Sequence, residues 1–304
     1  MDPLYPYAAE GYFFSTGDNM SKFMDRAVEE AKKRGGTVYG ISQIHNGIAE
    51  NVTITPANPC QDTYSVAKAF TVTAIGMLWD DGVLDTDERI VDIFRDELCD
   101  GMDPKWQEMT VHHVLKHRCG FPGGYVDIDC IDVNTMGEDL LQYLFKTKLL
   151  YSPGEQKTYS DGAYYLLSRV VTKKTGFGLD EFLWRRLFFP LGFREAAWSK
   201  CPMGYAMGAT GLYIYTSDMV KLGQLYLDGG VYNGKRIISE EWVDIVKQRE
   251  YEFERTPHGG YRKGGMRGQM VMFYPEQNRA VAWHSYEGDV AVDRWIEEYA
   301  QEAE

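Results

Sequence analysis

Tyr64-Ser65-Val66-Ala67-Lys68 opens the stretch YSVAKAFTVTAIGMLWDDG, residues 64–82. Ala74, Met77 and Leu78 fall at helical spacing, so the stretch predicts an apolar helix with Ser65 in its first turn. Ser65 and Lys68 stand at i and i+3, on one helix face. Unpaired backbone N–H groups and the positive end of the helix dipole favour negative charge developing at such a serine. A lysine one turn on can take the serine proton if its surroundings keep part of the ammonium neutral. The plain alternative is a capping serine followed by a surface lysine, because a Ser-x-x-Lys arises about once by chance in a chain of this length.

Upstream, TVYGISQI (37–44) and IAENVTI (48–54) flank His45-Asn46-Gly47. Asn-Gly between two β-branched runs predicts a tight hairpin. Before it, SKFMDRAVEEAKKRGG (21–36) spaces Phe23, Met24, Ala27 and Ala31 as one helix face and ends in basic residues and glycine. Downstream, MTVHHVLKHRCG (109–120) and DGAYYLLSRVVTKKTG (161–176) continue the helical period. Strand-like text returns in GQMVMFYP (268–275) and RAVAWHSY (279–286), followed by an expected last helix near 289–302. The expected fold is therefore α+β: a mainly antiparallel sheet flanked by N- and C-terminal helices, with an inserted, mostly helical part. The boundaries read as 1–61 with 206–304 for the sheet unit and 62–205 for the helical one, the site lying between them.

The chain has 304 residues and a formal net charge of −13, the opposite of the basic footprint of a nucleic-acid binder. Five cysteines, Cys60, Cys99, Cys119, Cys130 and Cys201, form no CxxC pair and suit a reducing compartment. No basic, apolar leader pattern opens the sequence, and no apolar run of about 18 residues could span a bilayer. The expectation is a cytoplasmic protein without membrane partners.

Several segments in order carry a resemblance: YSVAK (64–68), MTVHHVLKHRCGF (109–121), YSPGEQKTYSDGAYYLLSRVV (151–171), LGF (191–193) and GATGLYIYTSDMVKLGQLYLDGG (208–230). Together these resemble the serine β-lactamase and penicillin-binding-protein clan, nearest its class C branch with the related esterases and D-aminopeptidases. The clan's second motif, Tyr-x-Asn, falls on Tyr159-Ser160-Asp161, and its third, Lys or His followed by a small residue and Gly, on Lys263-Gly264-Gly265. The resemblance implies that Ser65 is the nucleophile, that Lys68 and Tyr159 share the proton transfer, and that Lys263 supports a phenolate. It further implies an oxyanion hole from the backbone N–H groups of Ser65 and Met266. The implied reaction is two-step acyl transfer through a Ser65 ester on a small-molecule ester, amide or β-lactam, with neither metal nor organic cofactor.

Two positions depart from the pattern. Asp161 replaces the usual amide, cannot donate as an amide does, and beside Lys68 favours the charged ammonium, which shifts the base role toward Tyr159. Arg267, just past the third motif, either pairs with Asp161 or receives a substrate carboxylate. His113 and His117, at i and i+4 with His112 beside them, suggest a metal face, but no HExxH glutamate or third ligand accompanies the pair, and the acidic run Asp127, Asp129, Asp132, Asn134 lacks an EF-hand register. Both are set aside, as are Cys119 and Cys130 as nucleophiles. The leading expectation is a serine hydrolase of esters or small amides; the alternatives are a true β-lactamase or D-stereospecific peptidase, and a sensor that binds without turnover.

Overall fold

The computed structural model describes residues 14–15, 20–33, 38–286, 296 and 298–300. In chain order the strands are β1 (Phe14–Ser15), β2 (Val38–His45), β3 (Ile48–Thr53), β4 (Cys60–Asp62), β5 (Ala196–Trp198), β6 (Leu212–Tyr215), β7 (Val231–Tyr232), β8 (Lys235–Arg236), β9 (Glu254–Arg255), β10 (Tyr261–Gly265), β11 (Gln269–Tyr274) and β12 (Arg279–Ser285). The helices are α1 (Lys22–Lys33), α2 (Ala67–Asp80), α3 (Ile90–Ile93), α4 (Val111–Leu115), α5 (Leu140–Phe145), α6 (Asp161–Thr175), α7 (Leu179–Leu183), α8 (Thr216–Leu227) and α9 (Glu240–Arg249).

The main sheet runs β1-β3-β2-β12-β11-β10-β9 and is antiparallel except where β1 joins β3. Its centre is the pairing of β2 with β12, so both ends of the chain meet there, as the sequence pattern predicts. Asn46 and Gly47 take φ of 50° and 80° and turn the β2–β3 hairpin. Side chains alternate along β11 and β12. Met270, Met272, Tyr274, Val281 and Trp283 join Phe23, Met24, Ala27 and Ala31 of α1 on one face, whereas Val271, Phe273, Ala280 and Ala282 point into the larger core. The helix expected near 289–302 falls largely outside the described residues; Ile296 and Ala300, within them, are buried on the α1 face.

On the other face α8 lies against β2, β11 and β12. Gly223 permits that approach: a Cβ there would stand 3.2 Å from the Met272 carbonyl oxygen. A small sheet, β4-β6-β5, absent from the sequence reading, links the start of α2 to α8. Every residue of α2 from Ala67 to Leu78 is buried, because α6, α7 and α9 pack around it. This explains why the stretch is apolar all round and why its one lysine is exceptional.

The helix expected over 109–120 is shorter than its pattern. α4 ends at Leu115, and His117 adopts a left-handed backbone with φ 54°. His113 and His117 therefore share no helical face. His113 closes a capping box with Thr110, while His117 turns inward. Among the described residues no helix is long and apolar enough to cross a membrane.

Candidate active site

Ser65 sits in a tight helical turn, Tyr64–Val66, that runs directly into α2. Tyr64 has φ 46°, and its N–H is held by the Asp62 carboxylate at 2.8 Å. One turn on, Lys68 is completely buried. Its ammonium donates to the Asp161 carboxylate at 2.7 Å, the Ala209 carbonyl at 2.9 Å and the Ser65 hydroxyl at 3.1 Å, which uses all three of its protons. Burial alone would push this lysine down, but electrostatic interaction with Tyr159, Asp161 and Glu252 outweighs it and holds the group above its ordinary value. Thr71, on the same helix, donates to the Gly208 carbonyl at 2.7 Å and pins the loop that supplies Ala209.

Tyr159 and Asp161 flank Ser160, the N-cap of α6, whose hydroxyl accepts from Ala163 N–H. Asp161 is the first residue of the helix, where its charge meets the positive dipole end. The Tyr159 ring remains 42% exposed and lies between two ammonium groups, Lys68 at 4.8 Å and Lys263 at 5.4 Å from its centroid.

Lys263-Gly264-Gly265 closes β10, with Met266–Gly268 forming the turn into β11. A Cβ on Gly265 would stand 2.4 Å from the Thr63 carbonyl and 3.2 Å from Ser65 N, so only glycine lets this strand end lie against the serine. A Cβ on Gly264 would meet the flexible tip of Met270 at 3.2 Å and, in ordinary contact, the Gln269 carbonyl oxygen at 3.9 Å. Met266 follows Gly265 directly and is exposed. Arg267, at φ 61°, stacks over the Tyr286 ring at 4.9 Å and faces Tyr64. Asp161 is taken by Lys68, which disfavours the first of the two alternatives for Arg267 and leaves the second, a substrate carboxylate.

Two further residues complete the cluster: Glu252, which the sequence reading left out, and His117, which it weighed only as a metal ligand. Glu252, in the segment before β9, is fully enclosed; one oxygen binds the Lys263 ammonium and the other meets His117 Nε2 at 2.7 Å. Burial would raise Glu252, but Lys263, His117 and Lys68 hold it well below the usual carboxylate range. Burial would likewise lower Lys263, and electrostatic interaction with Glu252, then with Tyr159, keeps it above its ordinary value. Lys68 with Asp161, and Lys263 with Glu252, thus form two neutral pairs on either side of Tyr159.

The acidic run set aside in the sequence comes next to this cluster. Carboxylate oxygens of Asp127, Asp129 and Asp161 lie within 4.8 Å of one another, and Asp129 accepts from the Thr210 hydroxyl at 2.7 Å. Asp62 is pushed up to about 6, chiefly by burial and then by Asp129. Cys119 is buried and Cys130 exposed, both as free thiols, away from the Ser65 cluster's hydrogen bonds.

Comparison with known proteins fits this geometry. A "Putative D-alanyl-D-alanine carboxypeptidase" of Salmonella schwarzengrund (strain CVM19633) is 24% identical over 211 residues, 52% of this chain and 48% of the relative. The chain thus spans about half the length of the curated relatives it matches. Among solved structures, a penicillin-binding protein homolog from Caulobacter crescentus superposes with a TM-score of 0.71 at 16% identity, covering 94% of this chain and 99% of that one. EstCE1, a hydrolase with promiscuous acyltransferase activity, gives a TM-score of 0.71 at 15% identity over 92% of this chain and 99% of its own. These likenesses agree on the fold. Because the Beta-lactamase family model matches residues 33–296, the chain belongs to the Beta-lactamase family.

Proposed function

We propose that the protein hydrolyses an ester or small amide through a covalent acyl-enzyme on Ser65. The observation that carries this reading is the 3.1 Å bond between Lys68 Nζ and Ser65 Oγ at the start of a buried helix, with Tyr159 and Lys263 beside it. Ser65 Oγ attacks the substrate carbonyl, and its proton passes to the Lys68–Tyr159 unit and on to the leaving group. The backbone N–H groups of Ser65 and Met266 receive the oxyanion, an arrangement favoured by the close approach of Gly265. Water, activated by the same unit, then releases the acid.

Asp161 favours a charged Lys68, so the proton acceptor in this reading is chiefly Tyr159. Gly264 and Gly265 line the acyl side as backbone, and Arg267 stands at the rim as a receiver for a substrate carboxylate. The sheet unit (1–61 with 206–304) supplies Lys263, and the helical unit (62–205) supplies Ser65, Lys68 and Tyr159. The compartment is a reducing, cytoplasmic one, supported by five free thiols. A β-lactamase or D-stereospecific peptidase is the second reading; the name of the Salmonella relative favours it, and Asp161 in place of the amide disfavours it.

The test is incubation with an activated p-nitrophenyl ester and, separately, a penicillin, following product release and intact mass, with Ser65→Ala as control. Ser65-dependent ester turnover without a stable penicillin adduct supports the hydrolase. Fast penicillin hydrolysis selects the second reading, a lasting adduct indicates a sensor, and no Ser65-dependent signal overturns the assignment.

A further inference from the structure

His117 grips the Tyr159 segment from three directions. Its carbonyl accepts from Thr158 N–H at 2.8 Å, its Nδ1 accepts from Ser160 N–H at 3.3 Å, and its ring packs tilted at 34° against Tyr159 with centroids 4.3 Å apart. Its remaining nitrogen, Nε2, donates to Glu252, which also binds Lys263. These partners fix the tautomer: an acceptor at Nδ1 and a proton at Nε2 satisfy both neighbours, and the reverse satisfies neither. Both residues hold left-handed backbones, φ 54° at His117 and 66° at Glu252, although neither is glycine. Such strain persists only where the surroundings over-determine it, and it concentrates at functional sites.

We propose that His117 and Glu252 are positioning residues for acyl transfer at Ser65, His117 in its neutral form fixing Tyr159 between the two ammonium groups and Glu252 fixing Lys263. The inference rests on the acyl-transfer reading above. A cavity of about 40 Å³, lined by His117, Tyr159, Glu252 and Lys263 and rimmed by Lys116, Lys157, Glu250 and Glu254, has room for a water molecule. Protons therefore reach the imidazole without unfolding.

The groups facing His117 are Glu252 from the segment before β9, Lys263 from β10, Lys68 from α2, Tyr164 from α6 with its ring 5.0 Å away, and Tyr159. Burial, helped by the two lysines, outweighs Glu252 and lowers His117 below its ordinary value. The neutral form thus prevails at neutral pH. Protonation at Nδ1 sets an N–H against the Ser160 N–H and releases the Tyr159 segment.

The experiment measures kcat/KM for the p-nitrophenyl ester from pH 4 to 8, as stated assay limits of about four units, with melting curves for each variant. His117→Phe keeps a ring on Tyr159 but loses both nitrogens, and Glu252→Gln loses the charge. Each is expected to lower kcat/KM roughly 10- to 100-fold while remaining folded. The double variant is expected to lose little more than either single one. His117→Asn, whose amide oxygen can stand in for Nδ1, is expected to recover most of the rate and to move the acid limb to lower pH. Rates within about twofold of the parent in both single variants, or an acid limb unmoved in His117→Asn, would overturn the proposal.

A readout independent of turnover is the ¹⁵N signal of His117 in the parent protein. It is expected to show an Nε2–H tautomer that titrates below about 6.5, and an Nδ1–H tautomer overturns the proposal. Absence of any Ser65-dependent acylation in the parent marks failure of the acyl-transfer reading. Acylation of Ser65 in Glu252→Gln at the parent's rate marks failure of the positioning role alone.

Discussion

Replacing Asp161 by asparagine tests the charge arrangement at its most sensitive point. The Lys68–Asp161 pair is buried at 2.7 Å, with side-chain exposures of 0% and 6%. At an effective dielectric constant of about 20, two unit charges at that distance attract by roughly 6 kcal/mol before desolvation. Asparagine keeps an oxygen for Lys68, and the ammonium retains Ala209 and Ser65. About a third of the attraction, ~2 kcal/mol, is thus the expected change in proton affinity, or about 1.5 pH units. Lys68 borders both Ser65 and Tyr159, so its proton affinity sets the charge beside the transferring proton. The pH at which kcat/KM reaches half its plateau should therefore fall by about 1 to 2 units. Breaking a buried pair from one side costs about 3–5 kcal/mol, and the retained oxygens reduce this to roughly 2–3 kcal/mol. At about 2 °C per kcal/mol for a chain of this size, Tm should fall by about 4–6 °C. Melting curves and a pH–rate profile read both numbers. A lower Tm with an unmoved profile would refute the claim that Asp161 controls protonation; an unchanged Tm would refute the ion pair itself.

Gly265→Ala places a Cβ 2.4 Å from the Thr63 carbonyl and should cut ester kcat/KM by roughly 100-fold through displacement of the strand beside Ser65; steady-state kinetics checks this, with circular dichroism to confirm folding. Gly76→Ala drives a Cβ to 2.2 Å from Trp242 Nε1 in the core and should cost about 2–3 kcal/mol in a denaturant melt, with kcat retained in the folded fraction. Asp62, held near 6 chiefly by burial, binds more protons folded than unfolded between its ordinary value of 3.8 and about 6. Its stabilising contribution is complete below 3.8 and is lost as pH rises through 6. Asp62→Asn should therefore gain roughly 1–2 kcal/mol over the parent at pH 7 and nothing at pH 3.5, after allowance for partial solvent exposure; thermal melts at the two pH values decide it.

The parts of the fold carried by local pattern were legible. α1, the Asn46-Gly47 hairpin and the β11–β12 pair follow from periods of 3.6 and 2, because each buries a continuous face. The small β4-β6-β5 sheet was not, since three- and four-residue strands are too short to show a period. At the site, Ser65, Lys68, Tyr159 and Lys263 lie in motifs with fixed spacing, and the structure brings them together. His117 was misplaced because four-residue spacing suggests a shared helix face, whereas the helix stops at Leu115 and a left-handed residue turns the imidazole inward. Glu252 carries no local signal at all. It lies 135 residues beyond its histidine partner, and its role arises from tertiary contact. Proximity in space likewise joins Asp127 and Asp129 to Asp161, which looked like a separate acidic loop.

The pairing of β2 with β12 also bears on how the molecule comes into being. During synthesis the β2–β3 hairpin emerges roughly 230 residues before the strand that flanks it. At about 5–20 residues per second, it waits some 10 to 50 s with an open strand edge. Over that interval the helix bearing Ser65 can assemble with its neighbours, but β10 and its lysine have yet to appear. In the acyl-transfer reading proposed above, the nascent chain is thus chemically silent until its final strands arrive, and its longest-lived hazard is the unpaired rim of β2.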